Sequence, residues 1–218
     1  MKLPRRILFV GAHCDDIELF AGGLLSLACR NGHEVGVLVF SDHRGIVPPE
    51  TADRAKAEFD TNIAELAQMP GAKLRDHSGQ MLRACSGEFE SERAIIYKSL
   101  EQLRDSYDLV VSHARSDTNQ DHQQVATEVA RVFKSACSII AGEFPNNDLG
   151  QFTADVHVAL AEQDVDAKVR MLARYESQMF DGRPYFAERV VRGLAAVRGS
   201  QIRTEHAEAF SVVRLRVD

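Results

Sequence analysis

Apolar runs broken by polar, glycine-bearing stretches recur along the chain, and each run reads as a buried strand that opens into a loop and a helix. Ile7-Leu8-Phe9-Val10, the run at 34–40 and the run at 107–112 are the clearest. Continuous apolar runs of this length indicate strands covered on both faces, as in a parallel sheet. A helix fits 18–30 and is closed by an Asn31-Gly32 turn, so the opening stretch forms a βαβ unit. A second helix fits 52–69, with Ala55, Phe59, Ile63 and Leu66 on one face and Thr51 as its N-cap. Helical patterns also cover 91–105, 122–134, 162–179 and 186–198, and strand patterns cover 138–145, 154–160 and 209–215. Residues 73–76 are a candidate strand, and 77–90 carry no readable pattern. The alternation predicts an α/β protein, a Rossmann-like three-layer α/β/α arrangement with a mostly parallel sheet and helices on both faces.

Composition narrows the class. The chain has 218 residues, 44% of them hydrophobic and 27% charged, with no repeat, low-complexity stretch or linker, so one domain over 1–218 is expected. The net charge of −6 and the absence of a basic patch argue against nucleic acid as a partner. Cys14, Cys29, Cys85 and Cys137 show neither disulfide-framework nor zinc-ribbon spacing, which points to a reducing, cytoplasmic setting. The apolar run after the basic start is too short for a signal peptide or a membrane span.

The chemistry gathers at strand ends. After the first run come Gly11-Ala12-His13-Cys14-Asp15-Asp16-Ile17-Glu18, a histidine and carboxylates at the carboxyl edge of a strand, where open α/β sheets bind ligands. Imidazole and carboxylate suit zinc or another divalent ion, although acidic residues at a helix start also serve the helix dipole alone. The run at 107–112 ends in His113-Ala114-Arg115-Ser116-Asp117-Thr118-Asn119-Gln120-Asp121-His122, a second such loop, whose residues are also ordinary turn and capping types. Asp42 and Arg44, after the second strand, lie on the same edge as His13 and are candidate substrate contacts. Arg115, Asp117 and Glu143 are further candidates, as is Arg54, which also has Glu58 at surface-pair spacing. His33, His43, His77 and His157 have no identifiable partner and read as structural or solvated.

With both loops in view the chain resembles the PIG-L/LmbE-like family of zinc-dependent N-deacetylases of amino-sugar compounds. The family's Ala-His-Pro-Asp-Asp-Glu motif corresponds to Ala12-His13-Cys14-Asp15-Asp16 with Glu18 one place late, and its His-x-Asp-His motif to Asn119-Gln120-Asp121-His122. Weaker matches are Tyr175-Glu176-Ser177-Gln178, Arg183-Pro184-Tyr185, Arg198-Gly199 and Ala207-Glu208-Ala209-Phe210.

The resemblance implies one Zn2+ on His13, Asp16 and His122, leaving a position for water, with Asp15 as general base and Asp121 orienting a histidine ligand. It implies an N-acetylated amino sugar, free or carried on a small scaffold, as substrate; self-association is left open. Two departures matter. Cys14 replaces a proline and offers itself as a fourth ligand that would close the site. Asn119 replaces a histidine and can donate to an oxyanion but cannot deliver a proton. The proton for the leaving amine then falls to Asp15, His113 or His206. The loops after Asp42, Glu143 and Asp181 are expected to set specificity. The alternatives are a metal- or sugar-binding protein without catalysis and a phosphoesterase; the latter lacks a glycine-rich phosphate loop.

Overall fold

The computed structural model describes residues 3–180 and 183–217, so Asp181 lies outside the described residues. Eight strands form one sheet, of which seven run in the order β3-β2-β1-β5-β6-β8-β7. These are β1 (Arg6–His13), β2 (Glu34–Ser41), β3 (Lys73–Leu74), β4 (Gln80–Met81), β5 (Leu109–Ser112), β6 (Ser138–Gly142), β7 (Val156–Leu160) and β8 (His206–Arg214). β4 pairs with β2 beyond β3. The pairs from β2 through β6 are parallel, and among the described strands β8 alone runs the opposite way, pairing antiparallel with both β6 and β7 at one edge.

The helices are α1 (Asp16–Arg30), α2 (Pro49–Gln68), α3 (Arg93–Glu101), α4 (Gln120–Phe133), α5 (Glu162–Arg174) and α6 (Glu188–Gln201). Alternate residues of each central strand feed two separate cores. Ile7 and Phe9 pack with Ile17 and Leu24 of α1, Phe59 of α2, Leu172 of α5 and Val191 of α6. Leu8 and Val10 pack with Ile96 and Leu100 of α3 and Val125 and Val129 of α4. That division is the expected three-layer α/β/α fold, and it explains why the strands read as unbroken apolar runs. No helix among the described residues is long and apolar enough to cross a membrane.

Several expected boundaries are corrected. α2 starts at Pro49, ahead of the expected Thr51 cap, because a proline at the first helical position has its φ already set and no N–H to satisfy. α5 ends at Arg174 rather than 179, followed by a single 3₁₀ turn, Glu176–Gln178. Tyr175 leaves the helix so that its buried hydroxyl can reach the Cys14 carbonyl and Glu18. α1 bends at Ala21, whose φ of −148° is not helical. Glu208 of β8 accepts hydrogen bonds from the Gly23 and Leu24 amides there, at 2.9 and 2.7 Å, and a Cβ at Gly23 would lie 2.3 Å from Leu160.

β1 lies between β2, reached first, and β5, reached later, so the strand order reverses between β1 and β5. That reversal is where loops diverge to leave a crevice at the carboxyl ends of an open α/β sheet.

Candidate metal centre

β1 runs as far as His13, and α1 begins at Asp16 after only Cys14 and Asp15. The tight turn folds Asp16 back, where its Oδ2 accepts the His13 amide N–H at 2.7 Å. From the other side of the reversal, the loop after β5 ends at Asn119, whose Oδ1 caps α4 by accepting from the Asp121 and His122 amides at 2.9 and 3.4 Å. His122 thereby projects from the first turn of α4 toward His13.

Three donor residues meet there in a triangle, Asp16 offering one carboxylate oxygen to each histidine. His13 Nδ1 is 3.3 Å from His122 Nε2 and 3.4 Å from Asp16 Oδ2, and His122 Nε2 is 3.3 Å from Asp16 Oδ1. A tetrahedral zinc ion with ligand bonds near 2.0–2.1 Å requires ligand atoms about 3.3 Å apart, and each pairwise approach here is of that size, with one ligand atom of each residue within 4.8 Å of the others. The other nitrogen of each histidine meets a carboxylate: His13 Nε2 is 3.1 Å from Asp121 Oδ2, and His122 Nδ1 is 2.7 Å from Asp117 Oδ2. Such outer carboxylates fix the ring orientation and tautomer of metal-binding histidines. Asp121 is held in turn by the Gly87 amide at 2.7 Å.

The electrostatics fit a cation. Burial disfavours a charged His13, yet the Asp16 charge and the contact with Asp121 lift it to about 9. Burial likewise opposes charge on His122, and Asp16 with the Asp117 hydrogen bond lifts it to about 10. Burial by itself would raise the Asp16 carboxyl, but the surrounding histidines hold it well below the carboxylate range. A concentration of negative charge that attracts protons is one that a divalent ion can occupy in their place.

Asp15 stands beside the triangle, and it too is held below the ordinary range: burial is outweighed by its contact with His43. His43 Nε2 is 3.1 Å from Asp15 Oδ1, and Arg183 Nη1 is 3.7 Å from Asp15 Oδ2. An open cavity of about 410 Å³ lies over these groups. His13, Asp15, Asp16, His43, Asn119, Asp121 and His122 reach it from the sheet edge; Thr118, Gln120, Asn146 and Asn147 add polar groups, and Phe144 and Tyr185 add aromatic walls.

The structure therefore brings together His13, Asp15, Asp16, Asn119, Asp121 and His122. It sends the other expected residues elsewhere. Asp117 lies behind His122 rather than facing the cavity. Asp42 is buried and accepts from Arg44 at 2.8 Å and from Arg83 at 3.1 Å, so both Asp42 and Arg44 are spent on holding their loop. Arg54 pairs with Glu58 and Glu176 outside the cavity, and Arg115 is exposed on its loop. Glu143 is bound to Arg198 and lines an adjoining apolar cavity instead. His113 packs between Phe20 and His122 behind Asp16, away from the cavity, and burial keeps it neutral. His206 sits at the start of β8 beside Glu162. The Cys14 thiol is buried and does not join the triangle.

Sequence reasoning missed His43, Arg183 and the aromatic pair Phe144 and Tyr185. His43, which reads from the sequence as structural or solvated, is buried and lines the cavity. Its position directly after Asp42 at a strand end was the available signal; Arg183 and Tyr185 were visible only as a family-like segment.

The fold recurs in solved structures of low sequence identity. An N,N'-diacetylchitobiose deacetylase from Pyrococcus horikoshii is 17% identical over 96% of this chain and 84% of that one, with a TM-score of 0.71. GalB, the 4-carboxy-2-hydroxymuconate hydratase from Pseudomonas putida, is 16% identical over 99% and 98%, with a TM-score of 0.69. A zinc-inhibited form of a teicoplanin deacetylase is 15% identical over 98% and 100%, with a TM-score of 0.66. Deacetylases and a hydratase share the fold, so the fold does not select the reaction. No curated protein matches the chain by sequence. The family model described as PIG-L, GlcNAc-PI de-N-acetylase, matches residues 8–133, a span that runs from β1 through α4 and contains both halves of the donor triangle. The chain belongs to the PIG-L family.

Proposed function

We propose that the protein is a zinc-dependent hydrolase that removes the N-acetyl group from an amino-sugar-containing small molecule. The observation that carries this reading is the donor triangle of His13, Asp16 and His122, with a carboxylate behind each histidine and Asp15 free of the triangle at the cavity floor. Membership of a de-N-acetylase family and the deacetylases among its structural neighbours support the choice of reaction.

His13, Asp16 and His122 would hold the zinc ion, which when bound would supply Lewis acidity toward a water and the amide carbonyl. Asp15, ionised and 3.7 Å from the Arg183 guanidinium, takes the proton of the attacking water. Asn119 spends Oδ1 on capping α4, so its Nδ2 is the group left to donate toward the developing oxyanion. With His113 and His206 outside the cavity, Asp15 also returns the proton to the leaving amine. Phe144 and Tyr185 give the sugar ring an apolar face to lie on, and the amides of Asn146 and Asn147 are suited to its hydroxyl groups.

A binding protein without catalysis is the second reading. It is favoured by Asn119, which cannot carry a proton where the family has a histidine. Metal analysis combined with fluorescamine detection of released amine over a panel of N-acetylated sugars and glycosides separates the two. About one zinc per chain with amine release is expected. Bound zinc without amine from any member would overturn the deacetylase reading.

A further inference from the structure

We propose that His43 is the positioning residue of the Asp15 base: its imidazole donates Nε2–H to Oδ1, fixing that oxygen and leaving Oδ2 as the one that handles the proton. The inference rests on the reading of Asp15 as base. Its own support is geometric. The His43 side chain is buried, and its Nε2 lies 3.1 Å from Asp15 Oδ1. A carboxylate oxygen can only accept, so the ring nitrogen facing it carries the hydrogen.

The backbone is bent to achieve this. His43 has φ 66°, the left-handed region that side-chain-bearing residues rarely adopt. The loop around it is pinned to hold that conformation. Asp42 is locked between Arg44 and Arg83, and the His43 carbonyl accepts from the Ile46 and Val47 amides at 3.2 and 3.3 Å. The ring lies flat on that of His13, with centroids 4.8 Å apart and planes 10° from parallel, a second contact that favours the orientation facing Asp15. Backbone held in a sparsely populated region beside a reactive group is a conformation its surroundings must maintain, and here it accompanies the contact of His43 with Asp15. The two oxygens of Asp15 are thus distinguished: Oδ1 is bound by an imidazole, while Oδ2 faces the Arg183 guanidinium at the longer distance of 3.7 Å.

Cys14, Asp15 and His43 also have potential ligand atoms within 4.8 Å of one another, so a second cation is the competing occupant of this corner. The test compares the zinc-loaded wild type with His43→Gln, whose side-chain amide N–H replaces Nε2–H, and with His43→Leu, which removes the donor. His43→Gln is expected within about threefold of wild-type kcat, and His43→Leu to lose roughly 10–100-fold in kcat with KM within about twofold and zinc content unchanged. A long-range 15N–1H spectrum of the metal-free protein is expected to show His43 as the Nε2–H tautomer. The proposal is overturned if His43→Leu keeps wild-type kcat, if both variants lose kcat equally, or if the loss lies in KM alone. It is also overturned by a Cys14 thiolate-to-metal band that appears with a second equivalent of Co2+ and vanishes in His43→Leu. Should the wild type release no amine from any acetylated sugar, the deacetylase reading fails separately. The tautomer then decides for His43 by itself, with an Nδ1–H form ruling the hydrogen bond out.

Discussion

The turn after β1 and the loop after β2 start from the same place and reach their geometry by different means. Their strands are adjacent, parallel and paired in register from Arg6↔Glu34 to His13↔Ser41. After His13 the chain enters α1 within two residues, and the helix start itself sets the donors: His13 and Asp16 are three apart, and the Asp16 carboxylate closes on the His13 amide. After Ser41 the chain travels from Asp42 to Pro48 before α2 begins. Contacts that are distant in sequence hold it there, namely Arg83 on Asp42, and Ser86 and the Ala84 carbonyl on the Ser41 hydroxyl. A short turn carries its chemistry locally, whereas a longer loop takes its shape from what packs against it.

That contrast can be broken at either end. The largest effect is expected in the turn: Asp15→Asn keeps zinc and loses roughly 10²–10⁴-fold in kcat, the range of general base catalysis. Turnover near the wild-type rate would remove Asp15 as base. Next, Asp117→Asn weakens the carboxylate behind His122, and zinc affinity falls about 10–100-fold in a chelator competition.

Acidity acts on the same donors. With His13 lifted to about 9 and His122 to about 10, the metal-free site holds protons at neutral pH, and zinc must displace them. Apparent zinc affinity therefore rises with pH through neutrality toward those values, by about tenfold per pH unit for each proton displaced. Calorimetry in buffers of different ionisation enthalpy reads the released protons, and an affinity flat between pH 6 and 9 would contradict the assignment.

The smallest effect belongs to the β2 loop and should leave the metal alone. Asp42→Asn removes the charge from a buried carboxylate that binds Arg44 and Arg83, costing about 1–3 kcal/mol in urea unfolding with zinc content unchanged. Burial by itself would raise the Asp42 carboxyl, but the two arginines outweigh it and lower it. Its contribution is therefore complete above the ordinary carboxylate range and is lost as pH falls through the lowered value in the folded state. The difference between wild type and Asp42→Asn should shrink in acid; a difference that grows in acid would mean that Asp42 is not held by its arginines.

The region at 77–90 shows why part of the site escaped the sequence. Its one strand, β4, is two residues long, too short for any periodicity, and pairs with the edge of β2 beyond the equally short β3. Yet the segment after them supplies the Gly87 amide that holds Asp121 and the Phe89 ring that packs near His13. Asp42, Arg44 and Glu143 pointed to the correct edge of the sheet, but nothing along the chain reveals that an arginine elsewhere has already claimed each carboxylate.

What the sequence determined by itself are the features set by neighbours in the chain. Apolar runs gave the parallel strands, helical spacing gave the layers, and the polar residues between strand and helix gave both halves of the donor triangle. These depend on contacts within a few residues, which composition and spacing record. The closing of the triangle across 109 residues from His13 to His122, the carboxylate behind each histidine and the placing of His43 against Asp15 were decided only in the tertiary structure. Each of these depends on strand order and on loops pinned by distant ion pairs, so the same residue types in the same order are compatible with quite different contacts until the sheet is assembled.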